Sequence, residues 1–97
     1  MRLDPTVDSE MRKTRPVVVL SPDVMNGRLH TVIVAPLTMG GFAAPFRVPC
    51  RFGGSDGQIA LDHLRSLSKT RCIQRLGELE PASCDAVLSA LAQMFAH

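Results

Sequence analysis

The sequence has no tryptophan and no tyrosine, and phenylalanine occurs only four times in 97 residues. A surface on which several aromatic rings stack successive bases is therefore excluded. Cysteine is also sparse. Cys50, Cys72 and Cys84 form no CxxC pair and have no histidine beside them at zinc-ligand spacing, so neither a disulfide framework nor a structural zinc site is implied. They read as reduced cysteines packed like small hydrophobes in a cytoplasmic protein. No apolar run is long enough to span a membrane, and the first residues do not read as a signal peptide. Strong charge of either sign is missing too. The formal net charge of +2 is too weak to mark a nucleic-acid binder by electrostatics alone. What is there is a bias of type: nine of the eleven basic residues are arginines, whose planar guanidinium offers a fork of donors suited to phosphate oxygens.

At this length the chain is read as one small domain spanning 1–97, with little stability to spare and oligomerisation as the natural remedy. RPVVVLSP, from Arg15 to Pro22, is a β-branched run fenced by prolines, and TVIVAPL, from Thr31 to Leu37, repeats the pattern. Between them Asn26-Gly27 signals a turn, because both residues tolerate positive φ. Glycine and proline crowd Met39 to Pro45, predicting a loop of the kind that carries binding groups. PFRVPCRF alternates Phe46, Val48, Cys50 and Phe52 on one strand face, leaving Arg47 and Arg51 on the other. Gln58 to Leu67 and Arg71 to Leu76 read as two further extended segments. From Pro81, the spacing of Cys84, Val87, Leu88, Leu91 and Phe95 predicts an amphipathic C-terminal helix opened by proline. Short strands followed by one helix suggest an α+β fold, mainly β: a small, partly open barrel closed by that helix.

Three stretches in register carry a resemblance. DPTVDSEMRKTRPVVVLSP, from Asp4 to Pro22, resembles the opening signature of the MazF/PemK family of type II toxin–antitoxin toxins, in which DPT-x-G-x-E precedes an arginine-proline pair and a hydrophobic strand. VIVAPLT, Val32 to Thr38, is similar to the family strand that ends in a functional threonine. LDHLRSL, Leu61 to Leu67, is similar to the strand reading D-Q followed by a basic residue and a serine or threonine. Two positions depart from the pattern: Asp8 replaces a glycine and His63 replaces the glutamine. The family's arginine-glycine-aspartate-led first strand is represented here only by Met1-Arg2-Leu3, so that strand is expected to be missing or truncated, at the cost of an unpaired sheet edge.

The resemblance implies an SH3-like barrel of the MazF/PemK/CcdB type, a homodimer, a cognate antitoxin as partner, and a metal-independent endoribonuclease that cuts single-stranded messenger RNA without a cofactor. Such cleavage needs the ribose 2′-hydroxyl to lose its proton as it attacks phosphorus, charge to be stabilised on the phosphoryl oxygens, and a proton to reach the leaving 5′-oxygen. Arg15 suits the second task, because a guanidinium is a fixed bidentate cation and a poor base. Thr38 can orient the scissile phosphate through its hydroxyl. Glu10 is the candidate general base or arginine-positioning group. His63, Arg65, Ser66 and Phe42 are candidate RNA contacts, Phe42 as the single stacking platform in the glycine-rich loop. Two other readings of the same fold are a non-enzymatic toxin that binds DNA gyrase and an inactive binding module. The first is disfavoured by the tail QMFAH, which lacks the tryptophan-glycine-isoleucine ending of CcdB-type toxins.

Overall fold

The computed structural model describes residues 4–8, 15–39, 44–75 and 77–96, so Glu10 and Phe42 lie outside the described residues. Within these, seven strands and two α-helices follow one another: β1 (Asp4–Asp8), β2 (Arg15–Val19), α1 (Asp23–Asn26), β3 (Thr31–Met39), β4 (Arg47–Phe52), β5 (Ser55–Ala60), β6 (Arg65–Ser68), β7 (Cys72–Arg75) and α2 (Pro81–Met94). All pairings are antiparallel. Five strands form an open sheet in the order β7-β1-β2-β3-β6, and β5 and β4 continue it from the far half of β3. The expected α+β fold with a partly open barrel is thus what the chain adopts. β1, the DPTVD segment, is bonded along both edges, to β2 and to β7.

Strand β3 is long because its valines, isoleucine and leucine must serve two faces at once. Val32 and Val34 join Val17 and Leu67 in one buried cluster, whereas Ala35 joins Val18, Val48, Cys50, Ile59 and Leu61 in another, with Ile33 and Leu37 packed against it. This is the period-2 alternation of a strand whose two sides are both covered. The second cluster is closed by α2, which contributes Cys84, Val87 and Ala90. Proline occupies the first turn of α2, where its missing N–H is not needed. Phe95, expected on the apolar face, is instead 63% exposed: the helix ends at Met94, and Ala90 takes the buried position on the preceding turns. No helix among the described residues is long and apolar enough to cross a membrane.

Two expectations are corrected. The Asn26-Gly27 pair does not form a positive-φ turn, since Gly27 has φ −74°. Asp23–Asn26 instead winds into one helical turn, anchored where Ser21 Oγ donates to Asn26 Oδ1 at 2.6 Å and Asn26 Nδ2 donates to the Ser21 carbonyl at 3.0 Å. Those side-chain bonds offer Asn26 a better use of its amide than a tight turn does. The single extended segment expected from Gln58 to Leu67 is two strands with a 3-10 turn, Leu61–His63, between them. Ile59 lies opposite Leu37 and Arg65 opposite Val34. Between those rungs β3 has only Ala35 and Pro36, while the facing chain has Ala60 through Leu64, three residues more. Pro36 has no N–H to donate, and the surplus leaves the ladder beside it.

The β4–β5 hairpin closes on Gly53 and Gly54, whose φ values of 61° and 79° give the twist that a two-residue turn needs. Ile59 is fully buried at the junction of β3, β4 and α2. Ile59→Ala is therefore expected to destabilise the fold by about 2–5 kcal/mol; a urea melt with an unchanged midpoint would contradict this placement of the core.

Candidate active site and nucleic-acid face

Register decides which polar residues can meet. In the β2–β3 ladder Val17 faces Pro36, Val18 faces Ala35 and Val19 faces Val34. Continued by two residues, the same register sets Arg15 opposite Thr38. Both then share the face of Val17 and Val34, since alternate residues of a strand share a side. On the other edge of β3, Thr38 lies opposite Gln58, and Gln58 opposite Pro49. Stepping two residues along the same face reaches Arg47 in one direction and the pair Arg51 and Asp56 in the other. Arg65 lies opposite Val34 and joins this face as well, whereas Ser66 lies opposite Ile33 and points to the helix-bearing face. The chain thus gathers Arg15, Thr38, Arg47, Arg51 and Arg65 on one side of the sheet. Ser66 is not brought to them.

The side chains on this face are not equivalent. Arg15 is exposed. The Thr38 hydroxyl donates to the Gln58 carbonyl at 3.4 Å, a long bond that leaves it able to turn to a better acceptor. Arg47 is committed: its Nε and Nη2 donate to the two carboxylate oxygens of Asp62 at 2.7 and 3.0 Å. This fork holds the Asp62 carboxyl below the usual carboxylate range. It also pins the 3-10 turn to β4, helped by the Leu61 amide donating to the Phe46 carbonyl at 3.1 Å. His63 follows directly, largely exposed, with Nε2 3.4 Å from Asp62 Oδ2. The turn that presents His63 is therefore held by a buried leucine beneath and a bidentate ion pair above.

Beside Thr38, an apolar hollow of about 40 Å³ is lined by Pro16, Leu37, Thr38 itself, Met39, Cys50, Phe52 and neighbouring residues of β5. Burial raises the Cys50 thiol, which argues against a thiolate nucleophile there. Phe46 and Phe52, read as core, are half-buried, with Phe46 packed on the main cluster and Phe52 in this wall. Gly57 is the contact that sets the spacing: a Cβ at this position would lie 2.7 Å from the Thr38 carbonyl oxygen. Among the described residues no group of three or more histidine, cysteine, aspartate or glutamate side chains could hold a metal ion.

The sequence pattern already pointed to Arg15, Thr38, His63 and Arg65. It missed the Arg47–Asp62 pair, because only the cross-strand register brings those two residues together.

A family model described as PemK-like, MazF-like toxin of type II toxin–antitoxin system matches residues 1–95. Among solved structures, a MazE-MazF complex from Deinococcus radiodurans is 26% identical, covering 96% of this chain and 91% of that one with a TM-score of 0.84. A mycobacterial endoribonuclease in complex with its cognate antitoxin is 22% identical, with 93% and 88% covered and a TM-score of 0.83. A Mycobacterium tuberculosis MazF toxin is 21% identical, with 95% of each chain covered and a TM-score of 0.82. At those last two identities the likeness speaks for the fold. No curated protein matches the sequence.

Two outcomes follow from the local geometry. Gly57→Ala is expected to push β5 away from Thr38 and cost about 1–3 kcal/mol, read as a lowered melting temperature. The Asp62 carboxyl, followed by NMR, is expected to titrate below the ordinary value of about 3.9 and to return toward it in Arg47→Met. Because the folded value is the lower one, the pair stabilises the protein above the ordinary value and is lost as pH falls through the depressed one. An Asp62 titration that ignores the loss of Arg47 would contradict the ion pair.

Proposed function

The chain belongs to the family of PemK-like, MazF-like toxins of type II toxin–antitoxin systems, and on that premise we propose that it is an endoribonuclease that cuts single-stranded RNA without a metal ion. The observation that carries this reading is the continued β2–β3 register, which sets Arg15 beside Thr38 on a face that also holds Arg65. The ribose 2′-hydroxyl attacks the adjacent phosphorus as its proton passes to a general base. The bond from phosphorus to the 5′-oxygen breaks, and that oxygen takes up a proton. The products are a 2′,3′-cyclic phosphate and a 5′-hydroxyl.

Arg15 supplies paired donors to the phosphoryl oxygens, where charge builds in the transition state. The Thr38 hydroxyl exchanges its long bond to Gln58 for a phosphate oxygen and so orients the group under attack. Glu10 remains the proposed general base or arginine-positioning group on its position in the sequence signature. His63, held out on the pinned turn, and Arg65 are proposed contacts to the flanking nucleotides; Phe42 is proposed as a stacking partner from sequence alone. A homodimer is proposed as the working form. As in the Deinococcus and mycobacterial complexes with antitoxin, an antitoxin is the proposed partner, its binding to this face excluding RNA.

In EDTA the purified protein is expected to cleave a long single-stranded RNA, with Arg15→Ala lowering kcat about 100- to 1000-fold and Thr38→Ala by less. Arg15→Ala cutting at the wild-type rate would overturn the site, and activity lost on adding EDTA would overturn the metal-independent chemistry.

A further inference from the structure

Arg47 and Arg51 lie four residues apart on the same strand and the same face, yet the fold treats them oppositely. Arg47 is 18% exposed and spent on Asp62 through two short charged bonds. Arg51 stands at the end of the β4–β5 hairpin, 70% exposed, with its Nε 3.9 Å from the carboxylate of Asp56, which is itself 94% exposed. Such a pair, loose and fully in water, holds a guanidinium weakly and yields it to a stronger anion. The glycine turn fixes the rungs Phe52–Ser55 and Arg51–Asp56, so the hairpin end keeps a fixed relation to Thr38. Along β3, Arg65 lies level with Val34, Arg15 level with Thr38, and Arg51 one further step beyond. At a rise of ~3.3 Å per residue that track is about 20 Å long, too long for a single phosphate.

From this placement we propose that Arg51 is a phosphate contact of the RNA site, binding the strand on the Met39 side of the scissile position, and that Arg47 is not. The inference rests on the ribonuclease reading for the identity of the polyanion. Asp56 acts as the counter-ion that RNA displaces. The contact reads no base, so it strengthens binding to any sequence and leaves the chemical step alone. The Arg47–Asp62 pair contributes no net charge and releases no counter-ion when RNA binds.

The test uses a single-stranded oligoribonucleotide with every 2′-hydroxyl methylated, which can be bound but not cut, and measures Kd from 50 mM to 1 M salt. Arg51→Gln is expected to reduce the slope of log affinity against log salt by about 0.7, the share of one phosphate contact on a single strand. That slope makes its deficit about eightfold larger at 50 mM than at 1 M. Asp56→Asn tightens binding, and the double variant Arg47→Gln/Asp62→Asn keeps the wild-type slope. Thermal melts of all three exclude a folding defect as the cause. An unchanged slope in Arg51→Gln, a deficit equal at every salt concentration, or no binding by the wild type would each overturn the proposal. A wild type that binds the methylated strand with an Arg51-dependent slope but leaves unmodified RNA intact would sink the ribonuclease reading and leave Arg51 standing.

Discussion

Strand β3 is bonded along one edge to β2, and its other edge is divided between β6 and β5. Every part of the site inherits its position from that division. The first half of the strand fixes Arg65, the second half fixes Gln58 and, through it, the β4–β5 hairpin; the opposite edge fixes Arg15. Pro36 sits at the changeover, and the three surplus residues of the facing chain leave the ladder beside it as the turn that carries Asp62 and His63. A strand with an unbroken partner would have no such projection. The alternation of side chains then does the sorting: apolar residues enter the two buried clusters, and one end of one face is left to arginine and threonine.

That sorting is how a chain of modest net charge gathers several arginines on one face. The charge is weak in sum but its arginines converge by register, and one of them is withdrawn from the shared field by Asp62. The absence of tryptophan and tyrosine is compatible with the proposed function, because phosphate contacts do not require a stack on every base.

Much of this is legible in the amino-acid sequence. The proline-fenced valine runs became β2 and β3, the alternation in PFRVPCRF became β4 with Arg47 and Arg51 on one face, and the Pro81 helix formed as its spacing implied. The failures have physical causes. A side-chain amide with local partners overrode the Asn26-Gly27 turn signal, and a proline on β3 broke a ladder that the facing sequence gave no sign of breaking. Phe95 continues an apolar spacing past the point where the helix stops. Ser66 and Arg65 come from the same family motif, and as adjacent residues of one strand they face apart. The partnership of Arg47 with Asp62 spans 15 residues and two strands, and no local pattern encodes it.

The proposed reaction requires the 2′-hydroxyl as nucleophile at a site built from Arg15 and Thr38. The most direct measurement compares, in EDTA, an RNA with one mapped cut site and the same RNA carrying a single 2′-deoxy sugar immediately 5′ to that cut. The prediction is a 2′,3′-cyclic phosphate and a 5′-hydroxyl from the first, and no cut at that position in the second. Cleavage at the deoxy position, or ends bearing a 5′-phosphate, would contradict it.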